Sequence, residues 1–237
     1  MVNKLSWSDT EWIGQKVLKI SKWRYRYWKK ANSNTNIFNN HPSNLDLDSF
    51  IENSDTVYKN DRTTTVVKLE QDGETYVLKR YNARNQLHKF KRTFRQTRAS
   101  RCWQMSYQFQ QAGLNVAEPV LMYEKRFGPV RADAYFINKF LVGIELLKQL
   151  PLMDAVEQQQ VVLAITDSFN KMRLNKISHG DMKASNLMWV EGELFFIDLD
   201  ASKKHLTNFG WNFSHKKDKK RFMKNWENKP KIQKLFN

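Results

Sequence analysis

The chain of 237 residues contains one cysteine, Cys102. A single thiol forms no internal disulfide, so the sequence is not a stapled secreted scaffold and fits a reducing compartment. Structural zinc sites that take two or more thiolates from one chain are excluded by the same count. No apolar run approaches the roughly 18 residues that a bilayer-spanning helix requires. The N-terminus reaches Asp9 and Glu11 without the apolar core of a secretory signal, so a cytoplasmic protein is expected. Acidic residues are also scarce. Against 40 Lys and Arg stand 24 Asp and Glu, a formal net charge of +16. That excess favours polyanionic partners such as nucleic acid, an anionic membrane face or a phosphorylated glycolipid or nucleotide. With 41% apolar and 27% charged residues, the composition is otherwise that of an ordinary globular protein.

The basic charge is clustered in residues 1–30, 79–101 and 201–237. The first cluster includes the run Trp23-Arg24-Tyr25-Arg26-Tyr27-Trp28-Lys29-Lys30, which reads either as a membrane-interface segment or as a helix packing its aromatics inward. Three clusters of one sign point to an anion-facing surface. Residues 32–44, rich in Asn and Ser, read as a loop. Residues 1–47 are accordingly set apart as a basic and aromatic extension. Next comes a hairpin, Thr64–Glu70 and Glu74–Arg80 around Asp72-Gly73, whose β-branched and aromatic flanks are a strong hairpin signal. Leu87, Phe90 and Phe94, then Cys102, Met105, Phe109 and Ala112, recur at helical spacing up to Gly113, placing Cys102 in the core. Short strands are expected at Pro119–Tyr123 and Ala134–Ile137. A helix opens at Asp154 with Glu157 as a capping-box partner and buries Val162, Ile165, Phe169 and Met172. Strands at Leu187–Val190 and Leu194–Ile197 precede a basic tail anchored by Trp211, Phe213, Phe222 and Trp226. This order predicts a two-lobed α+β fold: a small antiparallel-sheet N-lobe over residues 48–140, and a short, mostly helical C-lobe over residues 141–237.

The stretch His179-Gly180-Asp181-Met182-Lys183-Ala184-Ser185-Asn186, followed by Phe195-Phe196-Ile197-Asp198, carries the chemistry. Phosphoryl transfer to an alcohol needs a carboxylate beside the attacking hydroxyl, which Asp181 provides. It also needs charge neutralisation by a cation on oxygen ligands, for which Asn186 and Asp198 are the candidates. Lys183 is placed to meet the γ-phosphate. A base followed five positions later by an amide, then an Asp closing an apolar strand, is the catalytic-loop pattern of protein-kinase-like enzymes. Upstream, Tyr76-Val77-Leu78-Lys79 offers Lys79 as the phosphate clamp. Asp200 reads as a second metal contact or, preferably, a structural cap. His179 reads as a residue that orients the loop, while His41, His88, His205 and His215 show no ligand spacing.

These segments, together with Thr97–Trp103 and Gly113–Pro119, resemble the lipopolysaccharide kinase (Kdo/WaaP) family over roughly residues 55–200. The resemblance implies a protein-kinase-like fold, use of ATP and Mg²⁺, and phosphorylation of a Kdo or heptose hydroxyl on the lipopolysaccharide inner core or its lipid A precursor. It implies Asp181 as base, Asn186 and Asp198 as metal ligands, and Lys79 on the phosphates. The sequence departs from the pattern in two places. No Gly-rich loop precedes Thr64, so Arg62, Thr63 and Thr64 are the candidates to face the phosphates instead. Residues 84–112 contain no acid to pair with Lys79, although register places that partner near Cys102.

Residues 199–237 leave no room for the activation segment and substrate-holding helices of a eukaryote-type protein kinase, so a small-molecule or glycolipid acceptor is expected. The basic surface then suits peripheral attachment to the cytoplasmic face of the bacterial inner membrane, where each Lys or Arg contributes on the order of 1 kcal/mol. A minimal protein kinase or other small-molecule phosphotransferase is the alternative enzyme. A non-catalytic anion-binding module is the alternative of another class. No nucleic-acid-binding signature is present.

Overall fold

A computed structural model describes residues 12–20, 23–30, 46–82, 96–127 and 130–236. In chain order, strands β1 (Trp12–Ile20) and β2 (Trp23–Lys30) precede helix α1 (Leu47–Glu52), strands β3 (Val57–Asn60), β4 (Thr64–Gln71) and β5 (Glu74–Tyr81), and helix α2 (Arg98–Gln111). Strands β6 (Asn115–Val116), β7 (Pro119–Phe127), β8 (Val130–Lys139) and β9 (Ile144–Glu145) lead to helices α3 (Leu146–Gln149) and α4 (Ala155–Leu174). Strands β10 (Ile177–Ser178), β11 (Leu187–Val190), β12 (Glu193–Phe196) and β13 (Lys203–Lys204) come before helices α5 (Asn208–Lys224) and α6 (Pro230–Lys234). The chain divides into two compact units, Met1–Trp103 with Glu118–Phe140, and Gln104–Ala117 with Leu141–Asn237.

The first unit is built on a seven-stranded antiparallel sheet in the order β1-β2-β7-β8-β5-β4-β3. The hairpin at Asp72-Gly73 forms as the sequence dictates: both residues have positive φ, 52° and 76°, and this two-residue turn matches the right-handed twist of the strands it joins. Alternate residues of the central strands, Val67, Leu69, Tyr76, Leu78, Leu121, Tyr123, Tyr135 and Ile137, form one buried cluster with Leu47 of α1. Asp46 caps α1 by accepting from the Asp48 and Ser49 amides, both at 3.2 Å. Asp48 then ties the helix to the sheet through Arg80 Nη1 at 3.0 Å, Lys125 Nζ at 3.1 Å and the Tyr135 hydroxyl at 2.9 Å. Burial raises the pKa of this carboxyl, but the bonds from Arg80, Tyr135 and Lys125 outweigh it and hold the group below its ordinary value.

The run Trp23–Lys30 is a strand paired with β7, not a helix, and with β1 it joins the same sheet as the hairpin. Residues set apart by composition as an extension thus contribute two strands. The expected stripe at Leu87, Phe90 and Phe94 and the loop at 32–44 lie outside the described residues.

The second unit is mostly helical, as expected, and its helices are joined by a four-stranded sheet in the order β6-β12-β11-β9 and the two-stranded pair β10-β13. Helix α2 ends at Gly113, whose φ of 72° lets the Leu114 amide reach back to Phe109 O at 2.9 Å. The capping box at α4 is complete. The Glu157 amide donates to Asp154 Oδ1 at 2.8 Å, and the Asp154 amide donates to Glu157 Oε2 at 3.3 Å. The buried stripe of α4 is Val161, Ile165, Ser168 and Met172, one position off the expected Val162 and Phe169 at two of its four places. In the tail Trp211, Phe222 and Trp226 are buried as expected, whereas Phe213 is exposed.

Candidate active site

The segment from His179 to Ser202 is closed at its base because Ile177 pairs with Lys204 and Ser178 with Lys203. Inside this enclosure the chain runs through a short 3-10 turn, Ala184–Asn186, into β11, returns along β12, and turns again at Leu199–Ala201. The Ile197 amide donates to Asn186 O at 3.0 Å, which brings the start of Asp198 beside Asn186. At Gly180, with φ of 81°, an added Cβ would lie 2.3 Å from Ala201 O, so the two arms of the loop touch backbone to backbone at a place only glycine fits. Asp198 is left-handed, with φ 61° and ψ 54°, an uncommon conformation for a non-glycine residue that Asp tolerates better than most.

Two of the residues singled out in the sequence, Lys183 and Asn186, converge on the carboxylate of a third, Asp181. Lys183 Nζ is 2.9 Å from Asp181 Oδ2. Asn186 Nδ2 donates to the same oxygen at 3.3 Å and to Asp181 O at 2.8 Å. With its amide nitrogen committed, Asn186 has its side-chain carbonyl oxygen to offer a cation. Among the described residues no three histidine, cysteine or carboxylate side chains cluster as a metal site. The oxygens of Asn186 and Asp198 nonetheless fit Mg²⁺, which is commonly held by one or two protein oxygens plus substrate phosphates. Asp200 is buried within the Leu199–Ala201 turn; the cap position of that turn belongs to Asp198, not to Asp200.

His179 orients the loop. Its ring is fully buried against Phe109 and Phe196, and burial pushes its pKa down despite the neighbouring aspartates, so it is neutral. Nδ1 accepts from the Asp181 amide at 3.4 Å, which puts the proton on Nε2, where it meets Ile197 O at 3.1 Å. Both arms are therefore fixed by one imidazole.

Two further residues went unnoticed in the sequence. Asp218, on α5, is 0% exposed, and its Oδ2 accepts from the His179 amide at 2.8 Å and the Gly180 amide at 3.1 Å. One turn on, Arg221 donates to Gly180 O and places its Nε 4.0 Å from Asp181 Oδ1. A single acid within a lysine-rich helix reads as charge relief. The available signal was periodicity, because Asp218 falls on the helical stripe of Trp211 and Phe222.

Lys79, Arg62, Thr63 and Thr64 belong to the first unit. Lys79 sits at the middle of β5, opposite Val66 on one side and Phe136 on the other. Where its helix partner was expected stands Cys102, which is buried in the core and has its Sγ 3.2 Å from the Tyr81 hydroxyl. The buried acid of this unit among the described residues is Glu124 on β7, bonded by the Thr97 hydroxyl. Glu124 opposes Ala134, which opposes Tyr81, so strand alternation puts it on the sheet face that carries Lys79. The sequence marks Glu124 only as in phase with Met122 along its own strand; pairing through β8 puts it on the face of Lys79. The Gly-poor turn before β4 is an Asx turn. Asp61 Oδ1 accepts from the Thr63 amide and hydroxyl, both at 2.7 Å, and from the Thr64 amide at 2.9 Å, which holds its pKa far below the ordinary value. The Thr64 hydroxyl accepts from Arg98 Nη1 at 2.9 Å. Both threonines are thus engaged within the protein, and Arg62 is exposed at the tip.

A family model described as the lipopolysaccharide kinase (Kdo/WaaP) family matches residues 49–233. No curated protein matches the sequence. Among solved structures, the chain is similar to one described as WaaP in complex with acyl carrier protein. The two share 17% identity at a TM-score of 0.55, covering 81% of this chain and 93% of that one. At that identity the likeness concerns the fold, and it agrees with a kinase-like α+β architecture.

Proposed function

Since the chain belongs to the lipopolysaccharide kinase (Kdo/WaaP) family, we propose that it transfers the γ-phosphoryl group of ATP to a sugar hydroxyl, Kdo or heptose, of the lipopolysaccharide inner core or its lipid A precursor. The observation that carries this reading is the convergence of Lys183 and Asn186 on Asp181 Oδ2. With Oδ2 so occupied, Oδ1, which Arg221 Nε approaches only to 4.0 Å, is the oxygen for the acceptor hydroxyl, which it orients and whose proton it takes. Lys183, with its ammonium beside the base, offsets charge on the transferring group. Lys79 and Arg62 hold the nucleotide phosphates, while Thr63 and Thr64 shape the turn that presents Arg62. Asn186 and Asp198 hold Mg²⁺, which supplies charge neutralisation across the phosphates when bound. Glu124, on the face of Lys79, is the carboxylate that aligns it.

Because ATP is the donor, the reaction belongs on the cytoplasmic face of the inner membrane, where a lipid-linked acceptor and a net charge of +16 meet an anionic leaflet. Among the described residues no helix is long and apolar enough to cross a membrane. The test is incubation with ATP, Mg²⁺ and unphosphorylated core lipopolysaccharide, reading product mass. One added phosphate is expected, and it is absent with Asp181→Asn. Labelling of protein instead of glycan would select the alternative enzyme, and failure to bind nucleotide with or without Mg²⁺ would leave an anion-binding module. A partnership with acyl carrier protein, as in the solved WaaP complex, is a second reading, tested by gel filtration of the mixed proteins.

A further inference from the structure

Helix α5 has two non-polar stripes, and only one is needed to join the fold. Trp211, Asp218 and Phe222 face inward, with Trp211 Nε1 donating to Ile177 O at 3.0 Å. At 3.6 residues per turn, Phe209, Phe213, Lys216 and Lys220 fall on the opposite side, with Lys217 and Lys224 beside them. Phe209 is 86% exposed and Phe213 60%. Leu206 stands just before the capping residue Thr207, where a hydrophobic staple would pack it onto Trp211, yet it is 96% exposed. The outer face of a soluble helix is normally polar; this one begins aromatic and ends cationic. The two characters also meet side by side, since Lys217 Nζ lies 4.1 Å from the centroid of the Phe213 ring. The helix's one acid, Asp218, is buried inward, so its charge does not dilute the outer face.

We propose that Leu206, Phe209 and Phe213 with Lys216, Lys217 and Lys220 form the surface that seats this protein on an anionic bilayer. Rings and an aliphatic side chain enter the acyl boundary, and the ammonium groups meet the lipid phosphates. Charge complementarity sets the occupant. A helix face that pairs exposed rings with lysines suits a fluid, anionic surface better than a shaped protein partner. The consequence for the site follows from the helix itself. The side of α5 away from this face holds the His179–Asp181 loop through Asp218 and Arg221, so the loop stands about one helix diameter, ~10–12 Å, above the seated face. That height suits a sugar hydroxyl on a lipid anchor. This consequence rests on the proposed kinase function; the lipid contact itself does not.

Sedimentation with vesicles of phosphatidylglycerol in phosphatidylcholine at low salt tests the seat. The wild-type protein is expected to pellet with them and to remain in solution with phosphatidylcholine alone. The double variant Phe209→Ser/Phe213→Ser should lower the partition coefficient by roughly tenfold per ring, and Lys216→Gln/Lys220→Gln by roughly fivefold per charge, with thermal melting unchanged in both. Equal partition of wild type and ring variant overturns the proposal. So does wild-type protein that stays in solution at every lipid composition, or a soluble acidic protein held by this face in place of vesicles. The phenylalanine variant should phosphorylate core lipopolysaccharide in vesicles poorly and delipidated core oligosaccharide normally. If wild type pellets as expected yet phosphorylates neither, the kinase reading fails while the seat stands.

Discussion

The two units hold their charged groups in different ways. In the first, Asp48 is partly exposed and is met by three side chains on a regular sheet, Arg80, Lys125 and Tyr135. In the second, Asp218 is sealed from water and spends its Oδ2 on two backbone amides of an irregular loop. A sheet satisfies its own backbone and leaves side chains free to pair with each other. A loop that bends as sharply as the one around Asp181 leaves amides without ladder partners, and a buried acid has to supply them. The first kind of bond adjusts a fold that stands without it, and the second creates the conformation in which Asp181 is useful.

The largest expected effect breaks chemistry without touching structure. Asp181→Asn should lower turnover by about 10²–10⁴-fold and leave nucleotide affinity nearly unchanged, as measured by steady-state kinetics beside calorimetric titration. Asp218→Ala strands two buried amides and should cost about 4 kcal/mol. Both turnover and the denaturant midpoint should fall; a variant that melts like wild type would remove the contrast between the units. Glycine sharpens it further. At Gly180 a methyl group meets Ala201 O, and Gly180→Ala should cost about 3 kcal/mol. At Gly73, also of positive φ but with nothing within 4 Å of the added carbon, the cost should be about 1 kcal/mol.

Acid should separate the units in pH. Burial pushes down the pKa values of His179, His205 and His215, all in the second unit. Their unfolded counterparts take up protons near 6.5 while the folded groups resist, so protons favour unfolding and stability falls as pH drops below about 6.5. Asp48 is held below the usual 3.8, so its contribution is intact above that value and is lost as pH falls through its lower folded pKa. Hydrogen exchange between pH 7.5 and 3.5 should show second-unit amides losing protection first. As small as the change at Gly73 is that of Asp48→Ala. Its pairs are partly solvated, and about 1 kcal/mol is expected from thermal melting.

Legibility followed the range of the interaction. The hairpin, the capping box of α4, the Gly113 stop and the Asp181–Asn186 grouping were readable because each is decided within a few residues. Lys79 was readable as a strand residue, but the acid on its face was not, since Glu124 meets that face only through pairing of β5 with β8 and β8 with β7. Trp23–Lys30, with basic and aromatic residues alternating, was read as a helix or an interface, yet that alternation is also a strand's period, and pairing with β7 decided it. Phe213 was read as an anchor because its residue type gives no direction; the orientation of α5, fixed by Trp211 and Phe222, turned it outward.

The sequence by itself determined the residue types of the chemistry, their local spacing, the turns and caps, and the excess of positive charge, because these depend on neighbours along the chain. The tertiary structure decided which acid holds the His179–Asp181 loop, which acid shares a face with Lys79, and which aromatic rings of α5 are left in water. Those choices depend on strand pairing and helix rotation, which bring together groups tens of residues apart.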